Sequence, residues 1–132
     1  MQLNVGDKFE TSREVTDELI RQFAEVSGDF NPIHLDDEFA EQTQFGKRIA
    51  HGMLSGAFIS AVLGNEMRGM KIVYLSQSLK FIKPVFIGDT VNVSAVVKHI
   101  REDKQIVTID TVCTNQNGDQ VVKGEAVIML LE

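Results

Sequence analysis

The pattern of hydrophobic and polar positions changes its period once, near residue 70. Residues 51–67, HGMLSGAFISAVLGNEM, leave no polar side, so they predict a helix enclosed by other elements. Small residues recur at every fourth position of this helix, at Gly52, Gly56, Ser60 and Gly64. Glycine weakens a helix by roughly 1 kcal/mol relative to alanine, so the stripe indicates close approach of a sheet, a second subunit or a ligand. Packing alone and packing with ligand approach both stay open.

The first third of the chain predicts a strand and a helix, followed by an irregular span. The strand covers residues 8–15 and follows a Gly-Asp turn signal. The helix begins after Thr16, a good N-cap, and Gly28 is placed to end it. Residues 28–50 show little periodicity beyond a helical turn at 37–42. Such long irregular spans in compact domains are often functional.

After residue 70 the apolar positions alternate, which predicts strands. A long strand has Val73, Leu75, Leu79, Phe81 and Val85 on one face, and further strands follow around 91–97, 107–113 and 121–131. Short turns between consecutive strands predict an antiparallel meander whose apolar face needs the central helix as its partner. The expected fold class is therefore α+β, a strongly curved sheet wrapped around one helix. The open edges of such a sheet favour a dimer.

Composition narrows the class of protein. The chain has 132 residues and is expected to be one domain over 1–132, and its 43% hydrophobic and 24% charged residues are typical of a soluble protein. The net charge of −6 argues against nucleic-acid binding. The apolar run is too short for a membrane span, and the N-terminus has no signal region. The single Cys113 excludes an internal disulfide. We expect a cytoplasmic protein.

The polar chemistry concentrates in residues 27–34, SGDFNPIH. Gly28 permits an unusual backbone just before Asp29, and Pro32 fixes its own φ, so the loop is expected to be rigid. A carboxylate and an imidazole held in this way, Asp29 and His34, can share a water and move its protons. Turn residues beside a buried histidine whose hydrogen bonds are all made would give the same pattern, and from the carboxylate and the imidazole alone this structural interpretation is favoured.

A third feature is the pair His51-Gly52 at the start of the apolar helix. Helix N-termini carry free N–H groups and partial positive charge, and a glycine there lets a ligand oxygen approach the backbone. This is an oxyanion site, suited to a carbonyl that gathers negative charge during reaction. An acid/base pair with an oxyanion donor can add water to, or remove it from, a double bond conjugated to a carbonyl.

These residues resemble a known family. The D-x-N-P-x-H core at 29–34, Ala40 six residues after the histidine, and the H-G-M that opens the central helix are similar to the MaoC-type (R)-specific enoyl-CoA hydratases of the hot dog fold. The similarity runs the length of the chain, including SLKFIKPVFIGD and the closing VVKGEAVI. Three separated elements in the right order make the match specific.

The resemblance implies catalytic roles for Asp29 and His34 and an oxyanion role for the Gly52 N–H. Asn31 would hold the loop or the reacting water, and His51 and Ser60 would also contact substrate, although Ser60 also fits simple packing. The implied reaction is reversible syn hydration of trans-2-enoyl-CoA to (R)-3-hydroxyacyl-CoA, with no metal and no cofactor beyond the coenzyme A of the substrate. The resemblance also implies a homodimer or higher homo-oligomer.

Alternatives stay open at this point. One is a dehydratase that acts on acyl carrier protein, another is a hot dog thioesterase, and a third is a non-catalytic acyl-binding module. Acyl-chain length and metabolic pathway, whether fatty-acid breakdown or polyester precursor supply, are also open. Several basic residues are candidates for the coenzyme A phosphates, although each also fits a solvated surface charge: Lys47, Arg48, Arg68, Lys80 and Lys83.

Overall fold

The computed structural model describes residues 3–67 and 69–131. Arg68 lies outside the described residues. The elements are β1 (Lys8–Glu14), α1 (Asp17–Ser27), α2 (Pro32–Leu35), α3 (Asp37–Glu41), α4 (Gly52–Glu66), β2 (Lys71–Gln77), β3 (Lys80–Phe81), β4 (Thr90–Arg101), β5 (Ile106–Thr114) and β6 (Gln120–Leu131).

The strands form one antiparallel sheet in the order β1-β4-β5-β6-β2, with β3 also paired to β6. The meander is confirmed for β4, β5 and β6. It is wrong for β2, which pairs with β6 at the far edge instead of with β4. The chain therefore crosses from one side of the sheet to the other between β3 and β4. An antiparallel bridge between Ile49 and Phe86 lies on this crossing.

The prediction of one long strand over residues 73–85 is wrong. The segment divides into β2 and β3, and a register shift lies between Tyr74 and Ser76. Ile72 and Tyr74 pack against the core, whereas Val73 is 39% exposed and Leu75 47% exposed. Both faces of β2 carry apolar side chains, so alternation alone assigned the wrong face to the core.

Helix α4 covers the concave face of the sheet, as expected, but only one of its sides is enclosed. The buried side, on Leu54, Phe58, Ile59, Val62 and Leu63, contributes to the core together with β1, β4 and β5. The opposite side is exposed in this single chain at Met53, Ala57, Ser60, Ala61 and Gly64. Complete enclosure was therefore wrong for the isolated chain.

The ends of α1 agree with the capping prediction. Thr16 Oγ1 accepts a hydrogen bond from the Leu19 N–H at 3.1 Å, and Gly28 ends the helix in the left-handed region with φ 79°. The turn expected at 37–42 is α3. The short helix α2 was not predicted, and it places His34. No helix within residues 3–67 and 69–131 is long and apolar enough to cross a membrane.

Candidate active site

The loop between α1 and α2 is built by hydrogen bonds from its own side chains. Asp29 Oδ1 accepts from the Asn31 N–H at 3.2 Å, and Asn31 Oδ1 accepts from the Ile33 N–H at 3.1 Å. Asn31 is thus the N-cap of α2, and Pro32 occupies its first turn, where no donor is needed. This sequence of turn and cap brings His34 back towards Asp29. Asn31 therefore holds the loop, and its contact with water or substrate stays a prediction.

His34 is buried, at 8% exposure, and its ring orientation is fixed by the backbone. Nδ1 lies 2.7 Å from the Ile49 carbonyl oxygen, which can only accept, so Nδ1 carries a proton. In the neutral ring Nε2 therefore has a free lone pair. Burial is the main cause that lowers the pKa of His34 from 6.5; His51 also lowers it, while the Ile49 carbonyl and Asp29 oppose the shift. The net lowering of the pKa favours the neutral ring of His34, which can accept a proton.

The ring of His51 lies against His34. The two ring centroids are 3.9 Å apart with 29° between their planes, and His51 is only 3% exposed. Its Nε2 is 3.0 Å from the backbone oxygen of Asp29. Ligating atoms of Asp29, His34 and His51 all lie within 4.8 Å of one another. The structure thus brings the predicted acid/base pair together, with His51 as their neighbour.

Gly52 is the first residue of α4, and the Phe81 ring lies close against its Cα. A Cβ built there would lie 2.7 Å from Cε1 of Phe81. The residue itself is exposed, and its N–H belongs to the first turn, where no intrahelical acceptor exists. It has no hydrogen-bond acceptor among the described part of the chain. This N–H is therefore open to a ligand oxygen.

A cavity of about 470 Å³ joins these groups. His34, His51 and Gly52 line it together with mostly apolar residues, among them Ile49 and Val85. Asp29 is exposed beside His34, and it is not part of the lining. The arrangement offers an imidazole that can act as a base, a nearby carboxylate and a free backbone N–H beside one mostly apolar pocket. That combination suits an acyl chain whose carbonyl carbon is next to the reacting bond.

Ser60 stays a predicted substrate contact that this single chain does not test. It is exposed and does not line the cavity, because it lies two helical turns beyond Gly52, about 12 Å along the axis. The lining serine is Ser55, which is 3% exposed and was missed. Helical spacing could have found it, since position 55 is one turn from position 52 and shares its face.

The basic residues that are candidates for phosphate binding differ in their surroundings. The Arg48 guanidinium is buried and donates to Asp17 at 2.8 Å, to Asp37 at 2.9 Å and to the backbone oxygen of His34 at 3.2 Å. The Arg48 guanidinium is therefore engaged by the protein itself, which makes it a weaker candidate for phosphate binding than the exposed lysines. Lys83 lines the cavity, and Lys80 is exposed nearby on β3. Lys47 lies over the Phe86 ring, 4.4 Å from its centroid.

Asp29, His34 and His51 are also the residues that could hold a metal ion in the described ranges 3–67 and 69–131. Each histidine already has one ring nitrogen at a backbone carbonyl, which leaves one nitrogen per ring. Asp29 and the free Nε2 of His34 could equally act as an acid/base pair that moves the protons of one water.

Comparisons with known proteins agree with one another. The family model described as MaoC like domain matches residues 2–118. The (R)-specific enoyl-CoA hydratase of Aeromonas caviae is 44% identical over 128 residues, which are 97% of this chain and 96% of that protein. The solved structure of an (R)-hydratase from A. caviae involved in PHA biosynthesis has a TM-score of 0.95 at 43% identity and covers 99% of each chain. A mitochondrial 3-hydroxyacyl-[acyl-carrier-protein] dehydratase of Arabidopsis thaliana is 39% identical over 131 residues, 97% of this chain and 78% of that protein.

Proposed function

The chain belongs to the MaoC-like domain family and has the hot dog fold, and from this premise we propose that it is an (R)-specific enoyl-CoA hydratase. It adds water reversibly to a trans-2-enoyl-CoA and forms an (R)-3-hydroxyacyl-CoA. The observation that carries the proposal is that His34 lies beside Asp29 and lines one mostly apolar cavity together with Gly52. Near full-length identity of 44% to a hydratase of this specificity supports the same reaction.

The proposed mechanism needs one water and three protein groups. The Gly52 N–H donates to the thioester oxygen and stabilises the enolate-like state as negative charge develops there. A water held between Asp29 and His34 supplies hydroxide to C3, and the pair takes its proton. A proton from the same pair is delivered to C2. The hydroxyl and the proton arrive from the same side of the double bond, so the addition is syn and the atoms of one water are consumed.

We propose that this chemistry uses no metal and no dissociable cofactor. His34 Nδ1 is held by the Ile49 carbonyl, so the protein itself orients the ring and leaves Nε2 free to accept a proton. Turnover of crotonyl-CoA should therefore be unchanged after dialysis against a strong chelator. Loss of activity on chelation, with recovery on addition of a divalent ion, would contradict this part of the proposal.

A carrier-protein substrate is the second candidate, because the Arabidopsis thaliana relative at 39% identity is named a dehydratase of that kind. The net charge of −6 favours coenzyme A, since an acidic carrier protein needs a basic docking surface. Turnover of the same crotonyl group on coenzyme A and on carrier protein distinguishes them. We expect the higher kcat/KM for the coenzyme A thioester.

The proposed working form is a homodimer in the cytoplasm. The open side of α4 and the exposed side chains of β2 leave an apolar surface that a second copy would cover. The single Cys113 is buried on β5, which is compatible with a reducing compartment.

The assay for the function follows the loss of conjugated enoyl-thioester absorbance with a series of acyl-chain lengths. We expect turnover of trans-2-enoyl-CoA and a product of R configuration. Release of free thiol from the thioester would instead indicate a thioesterase, and binding without turnover would indicate an acyl-binding module.

A further inference from the structure

His51 contacts each of the proposed catalytic groups but transfers no proton in the mechanism above. Its expected role was substrate contact. The ring is 3% exposed, and its Nδ1 is buried without a hydrogen-bond partner among the described residues. Its one polar anchor within that part of the chain is therefore Nε2, which donates to the Asp29 backbone oxygen at 3.0 Å. The ring also lines the cavity, so substrate contact stays a prediction, but its near-complete burial and its contacts with Asp29 and His34 indicate a role besides substrate contact.

Three elements meet at this ring. His51 is the N-cap of α4, so it is joined to Gly52 by a peptide bond. Its face stacks on His34 of α2, and the edge-on ring of Phe23 of α1 lies 5.0 Å away on centroids. Its hydrogen bond fixes the backbone of Asp29. Displacement of this one side chain would therefore change the distances among the carboxylate, the imidazole and the oxyanion donor together.

We propose that His51 is a positioning residue for the hydration, which holds Asp29, His34 and Gly52 in one frame through its Nε2–H bond and its stacked ring. The inference rests on the proposed function, because it assigns a role in that reaction. Catalysis that depends on such geometry is sensitive: a misplacement of about 1 Å costs on the order of a hundredfold in rate.

The stacked pair also affects the protonation of His34. The charged and titratable groups facing His34 are Asp29, His51, the Arg48 guanidinium at its backbone oxygen, and Lys83 at the cavity. Among them, charge on His51 acts to lower the pKa of His34, while Asp29 acts to raise it. Removal of the His51 imidazole should therefore raise the pKa of His34. The acid limb of the kcat/KM profile would then move to higher pH.

Two substitutions separate the hydrogen bond from the ring. His51→Phe keeps the ring and its stacking but leaves the Asp29 oxygen without its donor. His51→Gln places an amide N–H near the position of Nε2 and removes the ring. We expect kcat with crotonyl-CoA to fall about tenfold or more in the Phe variant, with KM within about twofold, and most of kcat to return in the Gln variant. Both variants should shift the acid limb to higher pH.

The controls use the composition of the chain. The three histidines are His34, His51 and the exposed His99, so ring titrations by NMR are simple to assign with His99→Gln as the control. Wild-type kcat and an unmoved His34 titration in the folded Phe variant would overturn the proposal. Equal losses of kcat and of melting temperature in both variants, with an unmoved pH limb, would also overturn it, because they indicate structural support alone. A wild-type protein that hydrates no enoyl-CoA would instead contradict the proposed function, and the NMR titration would still report on the stacked pair.

Discussion

At the scale of single residues, two contacts decide what His34 can do. The Ile49 carbonyl sets which nitrogen carries the proton, and burial lowers the pKa of the ring. A histidine at the same sequence position without these contacts would be an ordinary titrating side chain. The proposed chemistry therefore depends on the backbone of residues 49–52 as much as on the motif at 29–34.

Loss of either member of the acid/base pair tests the residue assignments. Asp29→Asn keeps an acceptor for the Asn31 N–H, so the loop turn should persist while the carboxylate is lost. We expect Asp29→Asn and His34→Ala each to lower the hydratase rate on the order of a hundredfold or more. Circular dichroism should show an intact fold. Unchanged activity in either variant would remove that residue from the mechanism.

Two glycines of α4 form a matched pair for the oxyanion site. In Gly52→Ala the new methyl group meets the Phe81 ring beside the N–H, whereas at Gly64 nothing lies within 4 Å of an added Cβ. Phe81 is 53% exposed and is free to move, so Gly52→Ala should fold. We expect kcat to fall roughly tenfold or more because the thioester oxygen is kept from the donor.

The Gly64→Ala control adds a methyl group away from the cavity and should retain wild-type kcat. Equal kinetics for the two variants would argue against ligand approach at Gly52. Wild-type kcat in Gly52→Ala would contradict ligand approach at Gly52 most directly.

At the scale of elements, Arg48 joins the three short helices around the site. It pairs with Asp17 at the start of α1 and Asp37 at the start of α3, and it donates to the backbone oxygen of His34 in α2. The side chain of Arg48 is 9% exposed, but those of Asp17 and Asp37 are 46% and 80% exposed. The stabilisation from this network therefore comes mainly from the buried Arg48 guanidinium and its hydrogen bond to the backbone carbonyl of His34.

Arg48→Met should lower the free energy of unfolding by about 1–3 kcal/mol, as expected for a buried polar group that loses its partner. Arg48, followed by Arg21, lowers the pKa of Asp17 from 3.8. A lowered pKa stabilises the fold above the unfolded value and loses that effect as pH falls through the folded value. The difference between wild type and variant should therefore shrink below pH 3.8, as measured by denaturant unfolding.

Arg21→Met is the control for this network, because Arg21 is exposed and forms an i,i+4 pair with the same carboxylate at 3.0 Å. Exposed pairs contribute about 0–1 kcal/mol, so its effect on unfolding should be small. An Arg48→Met variant as stable as Arg21→Met at pH 7 would contradict the importance of the buried guanidinium.

The elements that sequence could predict are those with clear ends and one clear period. Thr16 and Gly28 marked α1, and the alternation of Val91, Val93, Ala95 and Val97 marked β4. The face of β2 could not be predicted, because apolar residues occupy both of its sides and the neighbouring strand lies about 50 residues further along the chain. The stack of His51 on His34 was equally hidden, since sequence shows spacing but not which rings meet.

At the scale of the whole molecule, the curved sheet and α4 enclose one apolar core and leave one apolar side of the helix open. That open side includes the later positions of the small-residue stripe, whereas Gly52 and Gly56 face Phe81 and Leu79. The first two residues of the stripe, Gly52 and Gly56, therefore pack towards the sheet, whereas Ser60 and Gly64 face outward. We expect the outward part to meet a second copy.

A charge on this open side tests the expected assembly. Light scattering on the eluted wild-type protein should give a mass of twice 14.7 kDa. Ala57→Glu places a carboxylate on the exposed side of α4 and should shift the mass towards one chain, because a buried unpaired charge is strongly unfavourable. Gln22→Glu on exposed α1 is the control and should leave the mass unchanged. A monomeric wild type would contradict the dimer.

In the proposed reaction, a capped loop and the N-terminus of α4 converge on one enoyl thioester, and water adds to its C2=C3 double bond from one side. The most direct measurement is hydration of trans-2-enoyl-CoA in deuterium oxide, followed by analysis of the product's configuration at C2 and C3. The account predicts an R hydroxyl at C3, with deuterium at C2 delivered to the same face. Addition to opposite faces, an S product or cleavage of the thioester without hydration would contradict it.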